Sequence, residues 1–388
     1  MKKILIVNNN LHIGGVQRAL VDLLKEICGK YDVTLALFYP HGALMEELPK
    51  AVKVLAVCSD YRFLGMSAAD VKHSPLLRLR RSFYAAVSRI FGRSCAIGLM
   101  APGQRKLRGF DAAISYLHDA GDRVFYGGCN DFVLRHTDAA EKIAFLHCDY
   151  TRCGADTPAN GARYEKFDKI AACSAGCRDA FLKILPHLEK KTVVVSNFHD
   201  YNGIWRSACE NPVCLPEKQI NVLTVARFGK EKGVTRAVEA FAGIHRIHPS
   251  AHCYLIGDGA ERSGIESLIR KHALEGTVTL LGEHAVPFGY MKAADLLLIP
   301  SVSEAAPLVI GEAARLGTPI LSTRTSSAKE MIEDTGFGWV CGNSVEDLIC
   351  ALAELLRDTD RLVEKRRYLQ ALNINNEQAA AQFDTLIG

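Results

Sequence analysis

The segment PSVSEAAPLVIGEAARLGTP places two carboxylates, Glu304 and Glu312, on either side of a helix start. Carboxylates accept hydrogen bonds from vicinal diols, so one could take sugar hydroxyls and the other ribose hydroxyls. Pro307 suits the first helical turn, where its missing N–H costs nothing. The free N–H groups and positive dipole end of that helix suit a diphosphate. The same residues also fit a plainer reading, in which one acid balances the dipole and the other is a solvated helix glutamate.

Three further constellations could carry chemistry. In TVARFGKEKG, Arg227 follows a strand and Lys232 comes five residues later at a helix start. Two cations at a strand's carboxyl end fit a diphosphate whose charge grows as a sugar departs. A solvated, charged helix start is the alternative, and it fits Lys230 and Glu231 better than Arg227. In NNNLHIGGVQRAL, Gly14 and Gly15 lie between a strand and a helix, where backbone can approach a phosphate closely. A simple turn fits them equally, and the fuller dinucleotide fingerprint is absent. In KIAFLHCDY, His147 ends a strand and could hydrogen-bond a sugar or stabilise positive charge through its carbonyl. His118, in SYLHDAGD, is its rival, and a structural role is open to both.

These residues need a scaffold that brings strand ends together. Apolar runs of strand length alternate with stretches of helical spacing, first in KILIVN, GGVQRALVDLLKEI and DVTLALF, where Val16, Leu20, Leu23, Leu24 and Ile27 share one face. The alternation starts afresh at INVLTVARF and runs on through AHCYLIG, VTLLGE, DLLLIPS and PILST. Strand–helix–strand alternation implies α/β domains with parallel sheets, and runs such as DLLLI suit strands buried on both faces. The expectation is two doubly wound, Rossmann-like domains facing across a cleft, with ligands beyond the carboxyl ends of the strands. Residues 200–218 lack periodicity and read as a linker. Residues 71–110 break the pattern. They contain no acid and nine basic residues, Lys72, Arg78, Arg80, Arg81, Arg89, Arg93, Arg105, Lys106 and Arg108. Leu76, Leu79, Phe83, Val87, Ile90 and Phe91 are interleaved at near-helical spacing.

At 388 residues the chain exceeds what one core usually organises. The net charge of +4 is uneven, with a basic first half and an acidic second half. No apolar run approaches the roughly 18 residues that span a bilayer, and the start reads as a strand rather than a signal peptide, so a cytoplasmic location is expected. The 13 cysteines include no Cys-x-x-Cys pair. Cys148/Cys153 and Cys173/Cys177 fit no zinc spacing, and reduced, mostly buried thiols are the expectation.

Taken together the segments resemble the retaining GT-B glycosyltransferases of family 4, the glycosyl transferases group 1. GGVQRAL resembles the family's glycine loop, FLHCDY its histidine segment, SNFHD the end of its first domain, VARFGKEKGV its Arg/Lys segment, LIGDG a later strand, and SEAAPLVIGEA its pair of glutamates. The resemblance implies an acceptor-binding domain over 1–199, a linker over 200–218, a nucleotide-sugar-binding domain over 219–365 and a helix over 366–388 returning to the first domain. It implies that Arg227 and Lys232 bind the diphosphate, aided by Gly15 and the N–H groups of Leu308 and Val309. Glu304 then contacts the transferred sugar, Glu312 the ribose, and His147 the reacting face. The implied reaction moves a hexosyl or N-acetylhexosaminyl group from a UDP-sugar to a saccharide or lipid-linked acceptor of a bacterial surface polysaccharide. It needs no metal or cofactor and retains anomeric configuration. Residues 72–108 would then dock on an anionic membrane, and sparse aromatics argue against nucleic acid. A same-fold epimerase or phosphorylase, or a non-catalytic nucleotide-sugar-binding protein, is the alternative. Ala305 and Ala306 stand where the family has glycine and an aromatic residue, which implies crowding near the donor and a larger pocket.

Overall fold

The apolar runs form two separate parallel sheets in the computed structural model, which describes residues 1–388. The chain divides into two units, Met1–Phe198 with Asn376–Gly388, and His199–Asn375.

The first unit holds seven strands: β1 (Lys3–Asn8), β2 (Asp32–Leu37), β3 (Lys53–Ala56), β4 (Leu107–Ser115), β5 (Thr137–Leu146), β6 (Lys169–Ala172) and β7 (Thr192–Val194). All pair in parallel, in the order β3-β2-β1-β4-β5-β6-β7. The order reverses between β1 and β4, so the crevice beyond their carboxyl ends is open to loops from both directions. The helix Gly15–Ile27 covers one face with Leu20, Leu23, Leu24 and Ile27. The final helix, Glu377–Ile387, packs Phe383, Leu386 and Ile387 into that same core. Its anchors include the Tyr31 hydroxyl donating to Asp384 at 2.8 Å and Lys169 donating to the Leu386 carbonyl at 2.8 Å.

Residues 71–110 contain the helices Pro75–Phe91 and Arg93–Met100. Leu76, Leu79, Phe83, Ile90 and Phe91 lie exposed along the first. The basic residues are not one surface, which corrects the expectation from their run in sequence. Arg93 is fully buried, paired with the equally buried Asp119 at 3.0 Å, and it donates to Asn160 at 2.7 Å. Arg81 donates to the Met66 carbonyl, and Arg80 pairs with Asp60. Arg78 and Arg89 are exposed.

The second unit holds β8 (Ile220–Val225), β9 (Ala251–Ile256), β10 (Val278–Gly282), β11 (Leu296–Ile299), β12 (Ile320–Thr323) and β13 (Gly338–Cys341), parallel in the order β10-β9-β8-β11-β12-β13. Its reversal lies between β8 and β11. Helices Val234–Ile244 and Val345–Arg357 close one face through Val238, Phe241, Leu348 and Leu352. No helix is long and apolar enough to cross a membrane.

Three expectations need correction. The stretch 200–218, expected as a linker, contains the helix Tyr201–Glu210, capped by Asp200, which accepts from the Gly203 N–H at 2.8 Å. Ile204 and Ala208 pack it into the second unit. The tail 366–388 is not one helix. Asp360–Ala371 stays with the second unit, and only Glu377–Ile387 joins the first. The cysteines are all free but not mostly buried, since Cys58, Cys95, Cys209, Cys214 and Cys350 are exposed.

Candidate functional site

In the second unit, the two loops that leave β8 and β11 meet at the reversal of strand order. After β8 the chain runs through Arg227 into a short 3-10 turn, Lys230–Lys232, which ends at Gly233. Gly233 adopts a left-handed conformation (φ +59°), and a Cβ there would lie 2.4 Å from the Pro300 carbonyl oxygen. Glycine is therefore required for the two loops to approach so closely. Lys232 lies two residues before the helix Val234–Ile244, slightly ahead of the expected helix start. Its ammonium donates to both carboxylate oxygens of Glu304, at 2.7 and 2.9 Å, and Ser301 donates to the same carboxylate at 2.8 Å. The Glu304 side chain is 10% exposed and that of Lys232 26%. Arg227 is different. It pairs with Glu231 at 2.5 Å, but the two side chains are 72% and 43% exposed.

The loop carrying Glu304 is held along its length. The Val302 N–H donates to the Glu231 carbonyl at 2.9 Å. Arg236 donates to the Pro300 carbonyl at 3.2 Å and to Asn343 Oδ1 at 2.8 Å. Asn343 in turn donates to the carbonyls of Val302 and Arg324, at 3.2 and 2.8 Å. Ser326 donates to the Glu304 carbonyl at 2.6 Å. Arg236 and Asn343 lie 107 positions apart in sequence, so no local pattern in the chain marks them as partners.

The helix after Glu304 runs Leu308–Leu316, with Pro307 as its extended N-cap rather than its first helical residue. No side chain caps it, so its first-turn N–H groups, those of Leu308 and Val309 included, point outward with the positive dipole end. Buried His199 lies against this helix with Nε2 3.2 Å from the Leu308 carbonyl, and a Cβ at Gly311 would strike its ring. Glu312 lies in the second turn, half-buried. The second unit thus brings together two cations, a nearly buried carboxylate and free helical N–H groups. That set suits an anion such as phosphate joined to a polyol.

Gly15 and His147 belong to the first unit. Gly15 is the first residue of the helix Gly15–Ile27, and nothing lies within 4 Å of where its Cβ would be. Upstream of it, Asn8 ends β1 and Asn9 and Asn10 follow, with Asn8 and Asn9 buried. Their polar side chains lie at the reversal of strand order, and the triplet NNN marks them in the sequence. His147 follows β5. Its ring stacks on Phe145 at 5.7 Å and tilts on Tyr116 at 4.7 Å. Burial, with a smaller effect from neighbouring His118, lowers its pKa to about 3. Burial likewise lowers that of His118 to about 4. Both imidazoles are neutral near pH 7, and His147 Nε2 has no partner within the protein. His147 is suited to hydrogen bonding and not to donating a proton as imidazolium. No group of three or more His, Cys, Asp or Glu side chains is placed to hold a metal ion.

Residues 210–372 match the family model of the glycosyl transferases group 1. The glycogen synthase of Mycobacterium tuberculosis is 28% identical over 199 residues, 49% of this chain and 46% of that one. The putative colanic acid biosynthesis glycosyltransferase WcaL of Escherichia coli K12 is 28% identical over 164 residues, 39% of this chain and 40% of that one. The chain thus spans less than half the length of these relatives. The crystal structure of Anabaena Alr3699/HepE in complex with UDP-glucose superposes with a TM-score of 0.68 over 99% of this chain and all of that one, at 18% identity. That likeness establishes the fold, two Rossmann-like α/β domains of the GT-B type. The match to the glycosyl transferases group 1 covers the segment that carries Arg227, Lys232 and Glu304.

Proposed function

We propose that the chain transfers a hexosyl or N-acetylhexosaminyl group from a nucleotide sugar to a saccharide or lipid-linked acceptor. The observation that carries this reading is the Lys232–Glu304 pair beside an uncapped helix start at the reversal of strand order. In this reading Lys232 and Arg227 hold the diphosphate, with the N–H groups of Leu308 and Val309, and Gly15 leaves room for it. Glu304 takes sugar hydroxyls, Glu312 the ribose, and neutral His147 hydrogen-bonds the sugar. The cations and helix dipole stabilise the charge that grows on the leaving diphosphate, and no metal is needed. The leaving phosphate accepts the acceptor's proton, with retention at the anomeric carbon. UDP-glucose is the donor to try first, because the Anabaena protein of the same fold binds it. The colanic acid relative points to a bacterial surface polysaccharide.

The test is transfer of labelled sugar from UDP-glucose and UDP-N-acetylglucosamine to lipid-linked saccharide. Glu304→Gln and Arg227→Ala should each lose it while staying folded, and full activity in both would refute the site. The anomeric proton coupling of the product reads the stereochemistry. Product formed without acceptor would indicate an epimerase, and dependence on inorganic phosphate a phosphorylase. Donor binding without turnover would favour a non-catalytic binder, the reading that Ala305 and Ala306 support.

The acceptor reading extends to an anionic membrane surface. Leu76, Leu79, Phe83 and Ile90 form an exposed stripe on the helix Pro75–Phe91, flanked by exposed Arg78 and Arg89. Apolar side chains beside cations suit the boundary between lipid headgroups and acyl chains.

A further inference from the structure

The proposed reaction assigns no role to the thiols that gather where β5 ends. Cys148 follows His147 directly, and its sulfur lies 3.2 Å from that of Cys153. A tight turn brings them together. The N–H groups of Arg152 and Cys153 both donate to the Asp149 carbonyl at 3.0 Å. The N–H and hydroxyl of Thr151 both donate to Asp149 Oδ1, at 3.1 and 2.6 Å. Cys177 donates to the Cys148 carbonyl at 3.0 Å and fixes the other side. Cys148 is buried and Cys153 partly exposed. The hydrogen bond between the two sulfurs holds the Cys153 thiol below its ordinary pKa, and with burial it raises that of Cys148. One sulfur is thus reachable and nucleophilic, and the other is sheltered against it.

We propose that Cys148 and Cys153 are a reversible oxidation site, converted to a disulfide by a peroxide. The Cys153 thiolate attacks one peroxide oxygen. The O–O bond breaks, hydroxide leaves, and Cys153 becomes a sulfenic acid, oxidised by two electrons. The Cys148 sulfur then attacks the Cys153 sulfur, the S–O bond breaks, and a second hydroxide leaves. The two thiol protons convert the two hydroxides to water. A disulfide needs its sulfurs about 2.0 Å apart, so the pair must close by about 1 Å. The turn already supplies the rest of the approach. An external thiol reverses the reaction by exchange at the exposed sulfur. The disulfide ties the backbone beside His147 into a closed turn, and its effect on transfer rests on the role proposed for that histidine.

The full-length protein is treated with hydrogen peroxide, alkylated, and digested with trypsin. Cleavage after Arg152 falls between the two cysteines, so the disulfide appears as two joined tryptic peptides, 143–152 and 153–163. The joined species should form, disappear with dithiothreitol, and be absent in Cys153→Ser. If Cys148 stays alkylatable while Cys153 is oxidised, or if Cys153 is joined to another cysteine, the proposal is overturned. Transfer by wild type should fall on oxidation and return on reduction, with Cys153→Ser insensitive. A joined peptide with unchanged transfer overturns the coupling to His147. No transfer in either redox form refutes the proposed function and leaves the peptide result standing.

Discussion

Replacing Lys232 by methionine should separate what this lysine does for the fold from what it does for the donor. Glu304 is almost fully buried and has two side-chain donors, Lys232 at 2.7 Å and Ser301 at 2.8 Å. Without the ammonium, a carboxylate with 10% exposure keeps only one hydroxyl. Breaking a fully buried pair costs about 3–5 kcal/mol. Lys232 keeps a quarter of its surface in water, so about 2 kcal/mol is the expected loss. For a unit of this size that lowers Tm by roughly 4–8 °C. Glu304→Gln added to Lys232→Met removes the stranded charge, so the double variant should regain most of that loss. Donor binding should behave otherwise. A charge-assisted contact to phosphate contributes about 1.5–3 kcal/mol, so UDP should bind roughly tenfold to a hundredfold more weakly to both the single and the double variant. Glu304→Gln alone should bind UDP no more weakly than wild type, since UDP lacks the transferred sugar that Glu304 would hold. Thermal unfolding and calorimetric titration with UDP supply the two readouts. If the double variant regained UDP affinity together with Tm, Lys232 would be a structural counter-ion and the phosphate assignment would be wrong.

Arg227→Ala should leave Tm unchanged, because an exposed ion pair contributes at most about 1 kcal/mol, yet it should weaken UDP binding by a similar factor to Lys232→Met; a stability loss without an affinity loss would contradict the site. Asn343→Ala removes the bridge between Arg236, Val302 and Arg324, and it should weaken UDP-glucose more than UDP in the same titration, since the loop it steadies carries the sugar carboxylate. Acidification should destabilise the first unit. His147 and His118 have folded pKa values of about 3 and about 4 against 6.5, so the unfolded chain binds more protons, and stability present above about pH 6.5 falls as pH drops, by about 1.4 kcal/mol per unit for each histidine. His147→Asn should halve the loss seen in denaturant midpoints between about pH 7 and about pH 5, and an unchanged slope would show that the imidazole titrates normally. Charge reversal at Arg78 and Arg89 should abolish sedimentation with anionic vesicles, and undiminished binding would sink the membrane reading.

The parts of this molecule that are legible in sequence are those specified locally. Strands such as Leu296–Ile299 read clearly because a parallel strand buried on both faces must be apolar throughout. Arg227, Lys232 and Glu304 stand within a few residues of strand ends, so the strand pattern places them. Most of the failures are non-local. Arg93 counts as one more cation in a basic run until Asp119, on the loop after β4, is seen to neutralise it. The helix Tyr201–Glu210 offers only Ile204 and Ala208 to the core, too few apolar positions to show a period. Arg236 and Asn343 meet only because the helix after β8 and the loop after β13 converge. Each non-local miss is a case in which the partner, rather than the residue, determines the role.

That distinction bears on how the donor site is prepared. Both proposed diphosphate cations already hold a carboxylate, but not equally. Lys232 is gripped through both oxygens of a nearly buried Glu304, while Arg227 meets Glu231 at the exposed surface. An incoming diphosphate therefore displaces Glu231 at little cost, because water and salt already screen that pair. Taking Lys232 from Glu304 costs more, and it leaves a desolvated carboxylate in need of new donors. Sugar hydroxyls are such donors, and UDP alone has none to offer there. The same ion pair that steadies the empty site should therefore penalise a nucleotide without its sugar and reward one that carries it. Specificity for the intact donor would then follow from the cost of leaving Glu304 unpaired.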